Sequence, residues 1–372
     1  MSVSHFPPRD PLALSPAKCG RGHACQFCPE EPGCQLEKGH HEKELLESRL
    51  AQIGQIIMVM ANKGGVGKST VSANLAAGLA ARGYRVGVAD ADIHGPNQSR
   101  FFGCVGQRVR IDKRGLSPRD FRNESLEHPI KVGSLAFMME SDDTPIVWRD
   151  AYKHDFMHHL IGSFDWGELD FLVIDMPPGT GNELITLADL LEGHDVAALL
   201  ATTPQEVALM DSLKAVRFCR ERGMPLLGVV ENMAGVTCPH CGEDFHLFPR
   251  GHLAAALEAA GVESLTQIPL SLALASGSDA GRPVILEAPE SVEARAFAPA
   301  VDACIEHARS TVVTAAVESL NAMSQQALSQ VQQEMPELEA ALAGVAPEQR
   351  DALRAELAEL LGGAASRDNP TS

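Results

Sequence analysis

Residues 63–70 read Lys63-Gly64-Gly65-Val66-Gly67-Lys68-Ser69-Thr70, set between the apolar run QIIMVMA (55–61) and the sequence SANLAAGLA (72–80). A glycine-rich turn between a buried strand and a helix restricts the fold choices sharply. The glycines let the backbone curl until its N–H groups face phosphate oxygens, and the helix N-terminus adds a favourable dipole. In this pattern Lys68 neutralises the β/γ-phosphates and the Ser69 hydroxyl ligates Mg²⁺, with the backbone from Gly64 to Thr70 as the cradle. The motif predicts an ATP site in an α/β protein.

The flanking sequence predicts the same architecture. The runs QIIMVMA, RVGVADA (85–91), FLVIDMP (171–177), VAALLATT (196–203) and PLLGVVEN (225–232) are aliphatic stretches of strand length separated by helical patterns. That alternation predicts a doubly wound, mostly parallel sheet flanked by helices. We divide the chain into a Cys-rich extension (1–50) with a charged helix at His41–Gln52, an ATPase domain (51–310), and a helical C-terminal tail (311–372). In the tail Leu338, Leu342 and Val345, then Leu353, Leu357, Leu360 and Leu361, recur at helical spacing on either side of Pro347, which fits a helical hairpin or a loosely docked tail.

Two carboxylate-tipped strands complete the expected crevice, because ligands in open α/β sheets bind at the carboxyl ends of the strands. VGVADAD (86–92) ends in Asp90 and Asp92; the alternative is that one of them only caps the following turn. FLVIDMPPGT (171–180) carries Asp175, placed to hold Mg²⁺ through water, and Gly179, whose N–H can meet the γ-phosphate and sense hydrolysis.

Lys63 departs from the ordinary phosphate loop. This resembles the family of MinD, ParA, nitrogenase-iron-protein and tail-anchored-protein ATPases. The resemblance implies that Lys63 reaches the nucleotide of a partner subunit and that the active form is a homodimer. It also implies that Asp92 orients or deprotonates the attacking water, that Asp90 supports Mg²⁺, and that Asn232 reads adenine, although an Asn ending a strand is often a turn residue.

The chain has nine cysteines and a formal net charge of -18. The charge argues against nucleic acid or anionic membrane as a partner. With no membrane-length apolar run and no basic, apolar leader, the sequence predicts a cytoplasmic protein, where clustered cysteines mean metal. Cys238-Pro239-His240-Cys241-Gly242 is half of a four-thiolate site, which a two-fold dimer would complete. Here the likeness narrows. ADADIHGPNQS, VWRDAYKHDFMHHL, FDWGELDFLVIDMPPGTGNE, ATTPQEVALMDSLKAVRFC, GVVENMAGVTCPHCGEDFHLF and SDAGRPVI resemble the Mrp/ApbC branch of iron–sulfur cluster carrier and scaffold ATPases over residues 55–290. The resemblance implies a [4Fe–4S] cluster bridged by Cys238 and Cys241 of two subunits, and delivery to apo iron–sulfur proteins. A structural zinc knuckle is the alternative.

Cys19, Cys25, Cys28 and Cys34 make a complete four-thiol set. The spacing of the last three resembles the N-terminal cluster motif of the eukaryotic cytosolic scaffold in this family, where the first cysteine lies further upstream than Cys19 does here. A second [4Fe–4S] cluster is expected, with zinc the next alternative and a disordered tail the third, and with His40 and His41 as spare ligands. The family's acid after PPGTG is replaced by Asn182. Cys104, Cys219 and Cys304 are read as core residues, Trp148 and Trp166 as packing residues, and His154, His158 and His159 as a solvated helix face. The rival functions are a MinD/ParA-type positioning switch and a zinc-stapled regulatory ATPase. The first has no need of paired cysteines and usually carries a basic element that this chain lacks.

Overall fold

The structure is a computed structural model, and it describes residues 21–22, 24–138, 150–179, 181–238, 240–248, 253–343 and 349. Cys19, Trp148, Thr180, Pro239, Val345, Pro347 and the leucines from Leu353 to Leu361 lie outside the described residues.

In chain order, α1 (Lys38–Leu50) leads into β1 (Ile53–Met60), α2 (Lys68–Ala81), β2 (Val86–Asp90) and α3 (Gln98–Phe101). Three short strands follow, β3 (Arg110–Asp112), β4 (Gly115–Ser117) and β5 (Arg119–Phe121), then β6 (Ile130–Ser134). The middle of the chain holds α4 (Asp150–Gly162), β7 (Leu169–Asp175), α5 (Asn182–Leu190), β8 (Val196–Thr202), α6 (Glu206–Glu221) and β9 (Leu226–Asn232). A two-stranded hairpin, β10 (Val236–Thr237) with β11 (Asp244–Phe245), precedes α7 (Leu253–Ala259) and β12 (Ser264–Ile268). The helices α8 (Leu272–Asp279), α9 (Val284–Glu287), α10 (Val292–Ala296) and α11 (Ala298–Ala343) close the described chain.

Eight strands form one sheet in the order β12-β9-β8-β1-β7-β2-β6-β5, parallel throughout except for the β5–β6 edge pair. Side chains alternate across it, as strand geometry requires. Ile56, Met58 and Met60 of β1 enter one core with Leu46, Phe156, Leu184 and Val216, from α1, α4, α5 and α6. Ile57 and Val59 enter the opposite core with Leu75, Val284, Phe297 and Val301, from α2 and the C-terminal helices. Both faces are covered, which is why the strands read as unbroken aliphatic runs. Each fully buried aliphatic side chain contributes about 1.5–3 kcal/mol.

The parallel register decides the site. Val59 of β1 and Asp90 of β2 both stand beside Asp175 of β7, and Asp90 also stands beside Ser134 of β6. Two carboxylates and the start of the phosphate loop are therefore brought to one edge by strand pairing.

The chain divides into two compact units, Met1–Thr311 and Val312–Ser372. The charged helix starts earlier than expected, at Lys38, and buries Leu45, Leu46 and Leu50 in the sheet's core. The segment next to the cysteines thus shares the ATPase core, because an isolated stretch of this length has too little apolar surface to fold alone. At the other end, α11 passes through Ser310 without a break, so the start of the tail is the continuation of a core helix. Among the described residues, no helix is long and apolar enough to cross a membrane.

Candidate functional site

The phosphate loop leaves β1 at Met60 and enters α2 at Lys68. Gly65 and Gly67 take left-handed φ of 80° and 83°, where a side chain is disfavoured. At Gly67 the neighbourhood also forbids one, since a Cβ would sit 2.1 Å from Asn232 Nδ2. That amide donates to Val66 O at 2.9 Å, so the end of β9 holds the loop in shape. Lys63, Gly64 and Gly65 are exposed, Val66 and Lys68 are buried, and Ser69 and Thr70 are half-buried at the helix start.

Lys68 is the hub of a buried polar network. Its Nζ lies 2.5 Å from Asp175 Oδ1, 3.8 Å from Asp92 Oδ2 and 3.5 Å from Ser69 Oγ. Asp175 Oδ1 also accepts from Ser72 Oγ at 3.0 Å, and Oδ2 accepts from Gln98 Nε2 at 2.8 Å. Gln98 Nε2 donates to Ser69 O as well, at 3.0 Å. Asp90 is enclosed, with Oδ2 accepting from Gln98 N at 2.9 Å and Ser134 Oγ at 3.1 Å, and Oδ1 from Asp92 N at 3.3 Å. Burial first, and then the charge of Asp175, push the Asp90 carboxyl well above the usual carboxylate range. Asp92 is raised too, chiefly by burial, with Lys68 pulling the other way. It remains partly exposed and accepts from Gly95 N at 3.2 Å.

Three expected contacts have other occupants here. The Gly179 N–H donates to Ala61 O at 2.9 Å, tying the loop after β7 to the end of β1. The Asn232 amide braces the phosphate loop. Asp90 spends both oxygens on backbone and hydroxyl donors. Gln98, Ser72 and Ser134 were not singled out in the sequence; Gln98 lies inside ADADIHGPNQS but belongs to no phosphate-binding motif. Gln98 Oε1 is a buried acceptor with no hydrogen-bond partner among the described residues. An orphaned buried oxygen beside Asp175 and the Ser69 backbone suits a hydrated Mg²⁺, which seeks oxygen ligands and retains its waters.

Six residues past Asn232 stands the first knuckle cysteine. Met233 takes a positive φ of 57°, which turns the chain into the β10–β11 hairpin. Cys238 N donates to Glu243 O and Gly242 N to Cys238 O, both at 2.9 Å, with Gly242 at φ 75°. Thr237 Oγ1 donates to Asp244 Oδ1 at 2.6 Å. Cys238 is half-buried and Cys241 is exposed. The backbone N–H groups of Cys241 and His240, and then the Cys241 thiol, hold the Cys238 thiol below its ordinary range. This is the direction a thiolate ligand needs.

The N-terminal cysteines ride on two 3₁₀ turns, Cys25–Phe27 and Glu31–Gly33. Cys25, Cys28 and Cys34 line a cavity of about 560 Å³ together with His41 of α1. Among the described residues, no group of three or more His, Cys, Asp or Glu side chains is gathered to hold a metal ion. Phe27 packs edge-on against His159, ring centroids 5.2 Å apart, and Ala24 N donates to Ser163 Oγ at 3.3 Å. The solvated face expected for the α4 histidines therefore fails at His159, which is buried and bonded to Ser163 Oγ at 3.2 Å. Burial lowers it to about 4. Trp166 packs as expected, fully buried with Nε1 donating to Leu160 O. Cys104, Cys219 and Cys304 are buried, and burial pushes the last two thiols up to about 11 and about 12.

A glycine-rich loop between a central parallel strand and a helix, facing carboxylates on neighbouring strands, defines a P-loop NTPase. Residues 52–305 match the family described as ParA: NUBPL iron-transfer P-loop NTPase, and the chain belongs to it. It is 39% identical over 263 residues to an iron–sulfur cluster carrier protein of Saccharolobus solfataricus, spanning 70% of this chain and 86% of that one. An iron–sulfur cluster carrier protein of Aquifex aeolicus is 43% identical over 246 residues, spanning 66% of this chain and 65% of the relative. A nucleotide-binding protein of Archaeoglobus fulgidus, solved in complex with ADP, superposes with a TM-score of 0.57 at 35% identity, over 67% of this chain and 94% of that one.

Proposed function

We propose that this chain is an ATP-hydrolysing carrier that holds a [4Fe–4S] cluster between Cys238 and Cys241 of two subunits and passes it to apo-proteins in the cytoplasm. The observation that carries the proposal is the paired, accessible thiols of Cys238 and Cys241, one of them with a lowered pKa, placed six and nine residues beyond the strand end that braces the phosphate loop. Two thiols are half of a cubane's ligand set, and a two-fold axis supplies the other half.

Nucleotide binding reorders the buried network. Lys68 now neutralises Asp175, and the β/γ-phosphates offer it a partner of higher charge. With Lys68 turned to phosphate, Asp175, Ser69 and Gln98 would be the residues that hold the cation. Mg²⁺, held there, supplies charge stabilisation on the phosphate oxygens. Asp92, partly exposed at the rim, orients the attacking water, and Lys63 of each subunit reaches the other's nucleotide. Gly179 exchanges its bond to Ala61 for one to the γ-phosphate, so hydrolysis returns it. Every shift of the loop is felt at Val66 and passes through Asn232 to the hairpin that bears the thiols. Nucleotide thereby biases how firmly the cluster is held.

The test is cluster transfer from reconstituted protein to a [4Fe–4S]-dependent apo-enzyme, followed by the recovery of that enzyme's activity. ATP should change the transfer rate several-fold, and the change should vanish in Lys68→Ala. Transfer indifferent to ATP in both proteins would leave a passive metal-binding protein on a nucleotide-binding fold.

A further inference from the structure

We propose that the β3–β4 hairpin, together with Arg119 at the head of β5, is a docking surface for an extended acidic segment of a partner protein. The surface shares no residue with the nucleotide site or the Cys238/Cys241 knuckle, and it does not depend on the carrier reading.

Charge sets this hairpin apart. Residues 107–122 hold six basic side chains, Arg108, Arg110, Lys113, Arg114, Arg119 and Arg122, against Asp112 and Asp120, in a chain whose formal net charge is -18. The basic element not expected of this chain is therefore present locally. Arg108, Arg110, Lys113 and Arg114 are exposed, and Arg119 is half-buried. Among the described residues Arg122 pairs with Asp120 at 2.7 Å, whereas Arg110, Lys113 and Arg114 make no ion pair. Arg119 Nε is buried with no hydrogen-bond partner among the described residues. Burial first, and then the positive charge of Arg110, hold the Arg119 guanidinium below its ordinary range. Cations in this excess over carboxylate attract an anion brought from outside.

The hairpin is tied down at both ends. Val109 N donates to Phe137 O at 3.0 Å, and Gly22 N donates to Lys113 O at 2.8 Å. Arg49, itself paired with Asp165, donates to the Arg114 carbonyl. Within the turn Asp112 Oδ1 accepts from Arg114 N at 2.7 Å. On β4, Leu116 N donates to Ser163 O and Asp165 N to Leu116 O, both at 2.8 Å, so the main chain of Leu116 faces away from β3. Its cross-strand partner Ile111 therefore belongs to a non-hydrogen-bonded pair and turns its own N–H and C=O outward. Ile111 is also 49% exposed. A cluster of cations, one apolar side chain and an outward main-chain donor and acceptor match an acidic peptide in extended form. A nucleic-acid duplex or an anionic bilayer spreads its charge well past so small a patch and meets the chain's excess carboxylate, which favours the peptide. Charges on an edge strand also keep it from pairing with a second copy of itself, but a guard of that kind needs no affinity for an acidic chain.

The experiment uses the full chain and a fluorescent peptide of about ten residues, alternating glutamate and valine, followed by anisotropy. The parent protein should bind it saturably, and more weakly as salt is raised, and should not bind the matching lysine–valine peptide. Arg110→Glu/Lys113→Glu/Arg114→Glu should weaken binding by about tenfold or more while ATP hydrolysis stays unchanged. Arg110→Gln/Lys113→Gln should weaken it by a smaller factor. In the parent protein the peptide should slow amide hydrogen exchange across residues 109–113, a readout that holds even if the triple variant fails to fold. Absence of binding below about 1 mM would overturn the inference and leave the charges as a guard on the edge strand. So would undiminished binding in the triple variant. Tighter binding to a short DNA duplex or to phosphatidylserine vesicles than to the peptide would overturn it as well.

Discussion

The nucleotide site and the Cys238/Cys241 knuckle sit at opposite ends of one short path, yet they are built in opposite ways. Around Lys68 the charged groups are buried and cross-braced: Asp175 accepts from three side chains, and Asp90 accepts from three donors of its own. At the knuckle Cys241 is exposed and Cys238 half-buried, on a two-residue-per-strand hairpin held by a few turn bonds. Buried polar networks are stiff because each broken bond exposes a desolvated partner. Exposed thiols carry no such penalty and admit an acceptor. Under the proposed function, the contrast teaches how a single domain would clamp one ligand tightly and surrender another.

The largest expected effect tests the stiff end. Lys68→Ala removes the only cation within 4 Å of Asp175 among the described residues, and steady-state ATP hydrolysis should fall by about a hundredfold or more. Cluster content should survive, because the thiols do not depend on Lys68. Loss of both together would break the comparison.

Next comes a pH effect at the docked N-terminal turn. An unfolded histidine titrates near 6.5, whereas burial holds His159 to about 4. Between those values the unfolded chain binds the extra proton, so stability is full above about 6.5 and is lost as pH falls towards 4. The loss is up to about 3 kcal/mol. Urea melts at pH 7 and pH 5 should show it, and His159→Phe should flatten the difference. Asp155 and His158 exert smaller, opposing influences on the same ring.

Asn232→Ala sharpens the link between the two regions. It leaves the buried Val66 carbonyl without its side-chain donor, at a cost of about 1–3 kcal/mol in denaturant melts. Iron uptake should be unchanged while the effect of ATP on transfer is lost. The smallest effect belongs to the core. Cys304→Ala should cost about 1 kcal/mol and leave the metal content untouched, since this thiol is fully buried and pushed up to about 12.

Features local in the chain were legible before the fold was known. The phosphate loop is eight consecutive residues whose types imply their own chemistry, and the five aliphatic runs are strands because both faces of the sheet are covered. What escaped is created by strand register and helix docking. Gln98 matters because β2, β7 and α3 converge, and nothing in its neighbours signals this. Asn232 was legible as a strand-ending residue near the site, but its grip on Val66 spans most of the ATPase domain. His159 looked like one of three solvated histidines until Phe27 was found packed on it. The continuity of α11 past Ser310 was hidden by a shift in composition that does not interrupt helical structure.

The central claim is that Cys238 and Cys241 carry an iron–sulfur cluster between two subunits. Iron, sulfide and zinc should be measured on anaerobically reconstituted Cys25→Ala/Cys28→Ala protein, with and without the further change Cys238→Ala/Cys241→Ala, alongside the mass of the species in solution. The account predicts about four iron and four sulfide per pair of chains, lost in the quadruple variant together with cluster-dependent dimer. Stoichiometric zinc that resists reconstitution, with no iron taken up, would contradict it.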